Sequence, residues 1–86
     1  MKVLLVEDND DDVLLLKDAA EQSGQALDLD VVQDGESAIH WMREHPSPKL
    51  VILDLSIPRL SGLDVLREIK ADPLLRSQFV IVLTGS

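Results

Sequence analysis

Leu50-Val51-Ile52-Leu53-Asp54 is an unbroken apolar run that ends on a carboxylate. Successive side chains of a strand point to opposite faces, so a run apolar at every position marks a strand covered on both sides. That is the habit of parallel sheets flanked by helices. Turn-forming residues follow, and Ser61 can cap a helix in which Leu63, Leu66 and Ile69 share a stripe. Asp72-Pro73 closes that helix, because proline cannot continue it.

The same alternation extends in both directions. Toward the N-terminus, Val3 to Val6 is a second continuous apolar strand. Asp10, Asp11 and Asp12 suit the first turn of a helix, where the macrodipole favours negative charge. Val13, Leu16 and Ala20 then recur at helical spacing, and Gly24 is a natural stop. Leu27, Leu29 and Val31 alternate with Asp28 and Asp30, so the strand around residues 27–33 has one wet face. Asp34-Gly35 reads as a turn. A helix from about Glu36 to Glu44 turns Ala38, Ile39 and Met42 inward and ends before Pro46. Toward the C-terminus, Phe79 to Leu83 is another apolar strand, followed by Thr84-Gly85-Ser86.

The pattern β-α-β-α-β-α-β predicts an α/β fold, a doubly wound parallel sheet with right-handed crossovers. The alternating strand belongs at an edge, which fits the flavodoxin-like order 2-1-3-4-5 with the second strand outermost. In that order the fourth strand would be interior, yet no fifth strand follows in this sequence. The expectation is one incomplete domain over residues 1–86, with strands in the order 2-1-3-4.

The chain has 16 acidic and 8 basic residues, a formal charge of −8. Phosphate contacts need clustered Lys and Arg, so this balance disfavours nucleic acid as a direct partner and suits a cation or a basic surface. With 45% hydrophobic residues the chain is globular, and with one Trp, one Phe and no Tyr its core is aliphatic. The absence of cysteine excludes disulfides and thiolate chemistry. No apolar run is long enough for a signal peptide or a membrane span, so a soluble cytoplasmic protein without membrane contact is expected.

Glu7 and Asp8 lie at the carboxyl end of the first strand, Asp54 at that of the third and Thr84 at that of the fourth. The ligand crevice of an open parallel sheet lies outside these ends, where the strand order reverses. The first and third strands are neighbours across that point, so three carboxylates converge. Such a cluster calls for a proton or a cation, and oxygen-only ligands suit Mg²⁺ or Mn²⁺.

Val6-Glu7-Asp8-Asn9, Leu53-Asp54-Leu55-Ser56-Ile57-Pro58 with Gly62, Ile69-Lys70-Ala71-Asp72 and Val82-Leu83-Thr84 together resemble the receiver domains of two-component signalling. Between Asp54 and Asp72 the chain looks most like receivers that work with bacterial phytochrome kinases. The resemblance implies that Asp54 is the phosphoacceptor, taking a phosphoryl group from a histidine kinase. It implies Mg²⁺ held by Asp8, Asp54 and the backbone carbonyl of Ser56, with Glu7 acting through water. Thr84 would be the switch hydroxyl, and Pro58 and Gly62 would shape the adjoining loop. Ile57 stands where the family commonly has methionine. The family's fourth helix, fifth strand with its phosphoryl-contacting lysine, and fifth helix lie past the last residue. The resemblance therefore leads one to expect a shortened receiver with impaired phosphotransfer.

Other residues suggest solvated surface: Asp10 to Asp12, Lys17, His40, His45, Arg43, Arg67 and Lys70. No histidine lies near the strand ends, as a Ser-His-Asp hydrolase requires, and there is no glycine-rich phosphate loop. A phosphatase with an aspartate nucleophile would place a second Asp where Ser56 stands, so enzymatic turnover is not expected. A purely structural fragment serving as a folding or assembly unit is the other alternative. With the last helix absent, one face over the third and fourth strands would be bare and the fourth strand would be an open edge. A homodimer or larger assembly through that face and edge is expected.

Overall fold

The computed structural model describes residues 2–24, 28–45, 50–57 and 60–83. Its elements are β1 (Lys2–Val6), α1 (Asp10–Gln22), β2 (Asp28–Val32), α2 (Gly35–Glu44), β3 (Leu50–Asp54), α3 (Gly62–Ala71) and β4 (Phe79–Leu83). The strands are parallel and lie in the order β2-β1-β3-β4, so the flavodoxin-like receiver order holds and the alternating strand is at an edge. In register, Val6 lies beside Val32 on one side and Leu53 on the other.

Strand alternation divides the core between two faces. Leu4 and Val6 of β1 and Val51 and Leu53 of β3 point toward α2 and α3. There they meet Ala38, Ile39, Met42, Val65 and Ile69. Leu4, Leu53, Met42 and Ile69 are fully buried, and burial of a side chain of this kind stabilises by about 1.5–3 kcal/mol. Val3, Leu5, Leu50 and Ile52 point the other way, toward Leu16 and Ala20 of α1. That face carries α1 alone among the described residues, and β4 is bare on it: Phe79 is 73% exposed and Ile81 50%.

Helix ends follow local chemistry, with two corrections. Gly35 is the first residue of α2 and not part of a turn, because Asp34 is the cap and its carboxylate accepts the Ser37 N–H at 2.8 Å. The buried stripe of α3 is Gly62, Val65 and Ile69, with Leu66 half-buried, and Leu63 is exposed. A spacing of three lags the helical turn, so Leu63 rotates out of a stripe centred between Val65 and Ile69. Ser61 does cap α3, accepting the Asp64 N–H at 3.3 Å. Gly24, at φ +73°, lies just past the end of α1 in the left-handed conformation glycine tolerates. Leu27 and Pro46 lie outside the described residues.

Asn9 caps α1, its side-chain oxygen accepting the N–H groups of Asp11 at 2.9 Å and Asp12 at 3.4 Å. Removing a cap of this type costs about 1 kcal/mol. In a domain this small that lowers the melting temperature by about 4–8 °C. Thermal denaturation of Asn9→Ala checks this.

Candidate functional site: an acidic cluster at the strand ends

β1 stops at Val6, but its ladder runs one residue further: the Glu7 N–H donates to the Val32 carbonyl at 3.0 Å. This ties the Glu7 backbone to the end of β2, while β3 lies along the other side of β1. The side chain turns into the fold and is 3% exposed, and its Oε1 accepts the Asn9 N–H at 3.1 Å. Asp8 follows in the exposed link to α1. Asp54, the last residue of β3, is 9% exposed, and its Oδ1 accepts the Ser56 N–H at 2.9 Å. That bond closes a turn after the strand and orients the carboxylate. β3 and β4 are likewise tied past their ends, the Leu55 N–H donating to the Leu83 carbonyl at 3.3 Å.

The neighbouring ends of β1 and β3 thus bring together Glu7, Asp8 and Asp54, each with a carboxylate oxygen within 4.8 Å of the others. Burial pushes the Glu7 carboxyl above its ordinary value. The Asn9 N–H opposes this, and the Asp54 carboxylate beside it adds to the rise. The folded chain therefore binds a proton at Glu7 more readily than the unfolded chain does. Stability falls as pH rises from the ordinary carboxylate value through the raised one. Glu7→Gln keeps an acceptor for Asn9 and gives Asp54 a donor. In a chelator solution the variant melts higher than the wild type near pH 7, and the gap closes as pH falls. Melting curves from pH 4 to 8 read both effects.

Gly62, at the start of α3, lies directly behind the site. A Cβ there would meet the Leu55 Cα at 2.5 Å and the Asp54 carbonyl at 2.7 Å. Leu60, just before it, adopts φ 71° while its side chain packs on the core. Ser56 is exposed in the turn after Asp54. Pro58 and Thr84 lie outside the described residues. Sequence reasoning missed Asn9, which both caps α1 and holds Glu7; its signal was an Asn immediately before an Asp run.

The family model of the response regulator receiver domain matches residues 3–86. The chain is 37% identical over 89 residues to the probable methanogenesis regulatory protein FilR2 of Methanothrix harundinacea, covering 98% of this chain and 57% of that protein. It is 36% identical over 90 residues to the response regulator Rcp1 of Synechocystis, covering 98% and 61%. The crystal structure of the Mn²⁺-bound form of Rcp1 superposes with a TM-score of 0.88 over 99% of this chain and 66% of that one. The crystal structure of the phosphorylated cyanobacterial phytochrome response regulator RcpA superposes with a TM-score of 0.89, at 38% identity, over 99% and 65%. This chain belongs to the response regulator receiver domain family. It spans about three fifths of the length of these two curated relatives.

Proposed function

We propose that this chain is a cytoplasmic phosphoacceptor module, in which Asp54 takes a phosphoryl group from the phosphohistidine of a histidine kinase. The observation that carries the reading is the approach of the Glu7, Asp8 and Asp54 carboxylates within 4.8 Å, in a chain of this family. An Asp54 carboxylate oxygen attacks phosphorus, the P–N bond breaks, and the imidazole leaves with the nitrogen electron pair. The product is an acyl phosphate. The chain acts as a signal carrier and not as an enzyme that turns substrate over.

The donor set fits a hard cation: three carboxylates, oxygen only, with Glu7 held above its ordinary value first by burial and then by the Asp54 carboxylate beside it. Asp8, Asp54 and the Ser56 carbonyl would hold Mg²⁺, with Glu7 acting through water. Mg²⁺ would supply neutralisation of charge on the transferring group. The Ser56 N–H orients Asp54 for attack. Thr84 would supply the switch hydroxyl, and Pro58 and Gly62 the shape of the loop beside the phosphoacceptor. Relatives support the reading: Rcp1 has a Mn²⁺-bound crystal form, and RcpA a phosphorylated one. The proposed protein partners are a histidine kinase and a second copy of this chain.

Titration of Mg²⁺ against the melting temperature tests the metal site. Ligand that binds only the folded state adds about 2.7 kcal/mol at a hundredfold excess over Kd. A rise of roughly ten degrees is expected for the wild type, and little or none for Asp8→Asn. An equal rise in both would exclude this site.

A further inference from the structure

We infer that Asn9 is a positioning residue of the cation site, holding Glu7 and Asp8 in place through the cap that it supplies to α1. The inference rests on the cation reading proposed above and adds to it a residue that is not itself a ligand.

Asn9 is bonded in two directions. Forward, its carbonyl accepts the Val13 N–H at 3.1 Å, and its Oδ1 accepts from Asp11 at 2.9 Å and Asp12 at 3.4 Å. These bonds fix it to the first turn of α1. Backward, its N–H donates to the Glu7 Oε1 at 3.1 Å. With φ −95° and ψ 114° Asn9 has the extended backbone of a cap residue, outside the helical well. The side-chain bonds hold that backbone, and so hold the direction in which its N–H points. Asp8 lies between the two anchors. Behind it the Glu7 N–H is tied to the Val32 carbonyl, and ahead of it Asn9 is tied to α1. The bond from the Asn9 N–H to the Glu7 side chain closes this segment around Asp8. The Asp8 side chain is exposed, so its direction comes from a backbone clamped at both ends.

The sequence fits this role better than that of a cap alone. Every residue from Glu7 to Asp12 carries a carboxylate except Asn9. Aspartate caps a helix about as well as asparagine does, so capping by itself does not explain the break in the acidic run. An aspartate here would add a charge beside three clustered carboxylates, whereas asparagine caps without one. The two roles also differ in what they affect. A residue that only caps α1 changes the stability of the fold and leaves the cation affinity of the folded protein alone. A positioning residue changes both.

Calorimetric titration with Mg²⁺ separates them, at a temperature where circular dichroism shows each protein folded. Asn9→Ala should raise the Mg²⁺ Kd about tenfold, the low end of the effect of residues that orient metal ligands. Asn9→Ser keeps a neutral capping oxygen and should bind like the wild type. Asn9→Gly removes the same bonds as Asn9→Ala but costs the helix little, because glycine is tolerated at a cap. It should therefore fold even where Asn9→Ala does not, and bind as weakly. Amide exchange at residue 9, measured without metal, should be faster in Asn9→Gly than in Asn9→Ser. Equal Mg²⁺ affinity in the wild type, Asn9→Ser and Asn9→Gly would overturn the inference and leave the cation site standing, with Asn9 as a cap alone. Asn9→Ser as weak as Asn9→Gly would also overturn it, because the cap would then not be what places the carboxylates. No Mg²⁺ binding by the wild type would overturn the cation reading and the inference together.

Discussion

Asp54→Asn is expected to take up no phosphoryl group from a small phosphodonor such as acetyl phosphate in Mg²⁺, whereas the wild type is expected to gain the mass of one. Among the three clustered carboxylates, Asp54 ends a strand, and its orientation is fixed by the Ser56 N–H. Glu7 is almost wholly enclosed and already engaged by Asn9. Asparagine keeps the acceptor for Ser56 and removes the proposed nucleophile, so the fold should survive and the chemistry should not. Loss of a covalent nucleophile is a loss of the whole step, with no fractional remainder. Intact-mass measurement after equal exposure of both proteins decides it. An adduct that persists in Asp54→Asn would place the acceptor elsewhere. Asp8→Asn should still label, more slowly, because it removes a charge beside the acceptor and leaves the attacking oxygen in place.

Gly62→Ala is expected to be far more damaging than the same change at Gly24, where an added Cβ would meet nothing within 4 Å. The added carbon would lie 2.5 Å from the Leu55 Cα and 2.7 Å from the Asp54 carbonyl oxygen, and neither is the end of a side chain that can swing aside. Relief requires α3 to back away from the end of β3, pulling Val65 and Ile69 from the core they fill. Overpacking typically costs 1–3 kcal/mol, and here the upper part of that range is expected, about 3 kcal/mol. Domains have only about 5–15 kcal/mol in total, and short chains lie at the low end. Urea denaturation should show the midpoint falling by a third or more. Because the clash is with the residue that carries the carboxylate, Mg²⁺ affinity should fall in the fraction that remains folded. A variant as stable as the wild type would mean that α3 can shift freely, and that Gly62 does not shape the site.

Much of this architecture was legible because side-chain period and strand order constrain each other. The apolar runs at Val3–Val6 and Leu50–Leu53 demanded cover on both faces, and the wet alternation at Asp28 and Asp30 demanded an edge. The winding rule then places Glu7, Asp8 and Asp54 together from the sequence alone. What was not legible depends on rotations of a few tens of degrees. Leu63 and Val65 are both apolar residues near the start of α3, and only the docking angle of the helix decides that Val65 enters the core. Gly35 is compatible with a turn or a helix start, and the bond from the Ser37 N–H to Asp34 settles it. The positive φ of Leu60 has no signature at all, since leucine is among the residues least suited to it. The shape role of Gly62 came from resemblance; its cause, contact of backbone with backbone, came from the structure.

The central position of β1 sets how the chain must come together in time. Lys2 pairs with Asp28, and Val3 pairs with Leu50. The earliest of the four described strands is therefore hydrogen-bonded along both edges to segments made later. Loop-closure entropy must be spent before either ladder repays it, which makes parallel sheets of this winding slow to form. The helices, whose bonds are local, can form within microseconds, while Val3 to Val6 wait unpaired. Through that interval an apolar strand is left unprotected. The carboxylates of Glu7, Asp8 and Asp10 to Asp12 follow it at once. A block of like charge beside an exposed apolar strand repels other nascent chains. The acidic stretch that builds the site thus also stands where a charged gatekeeper of that strand would be expected.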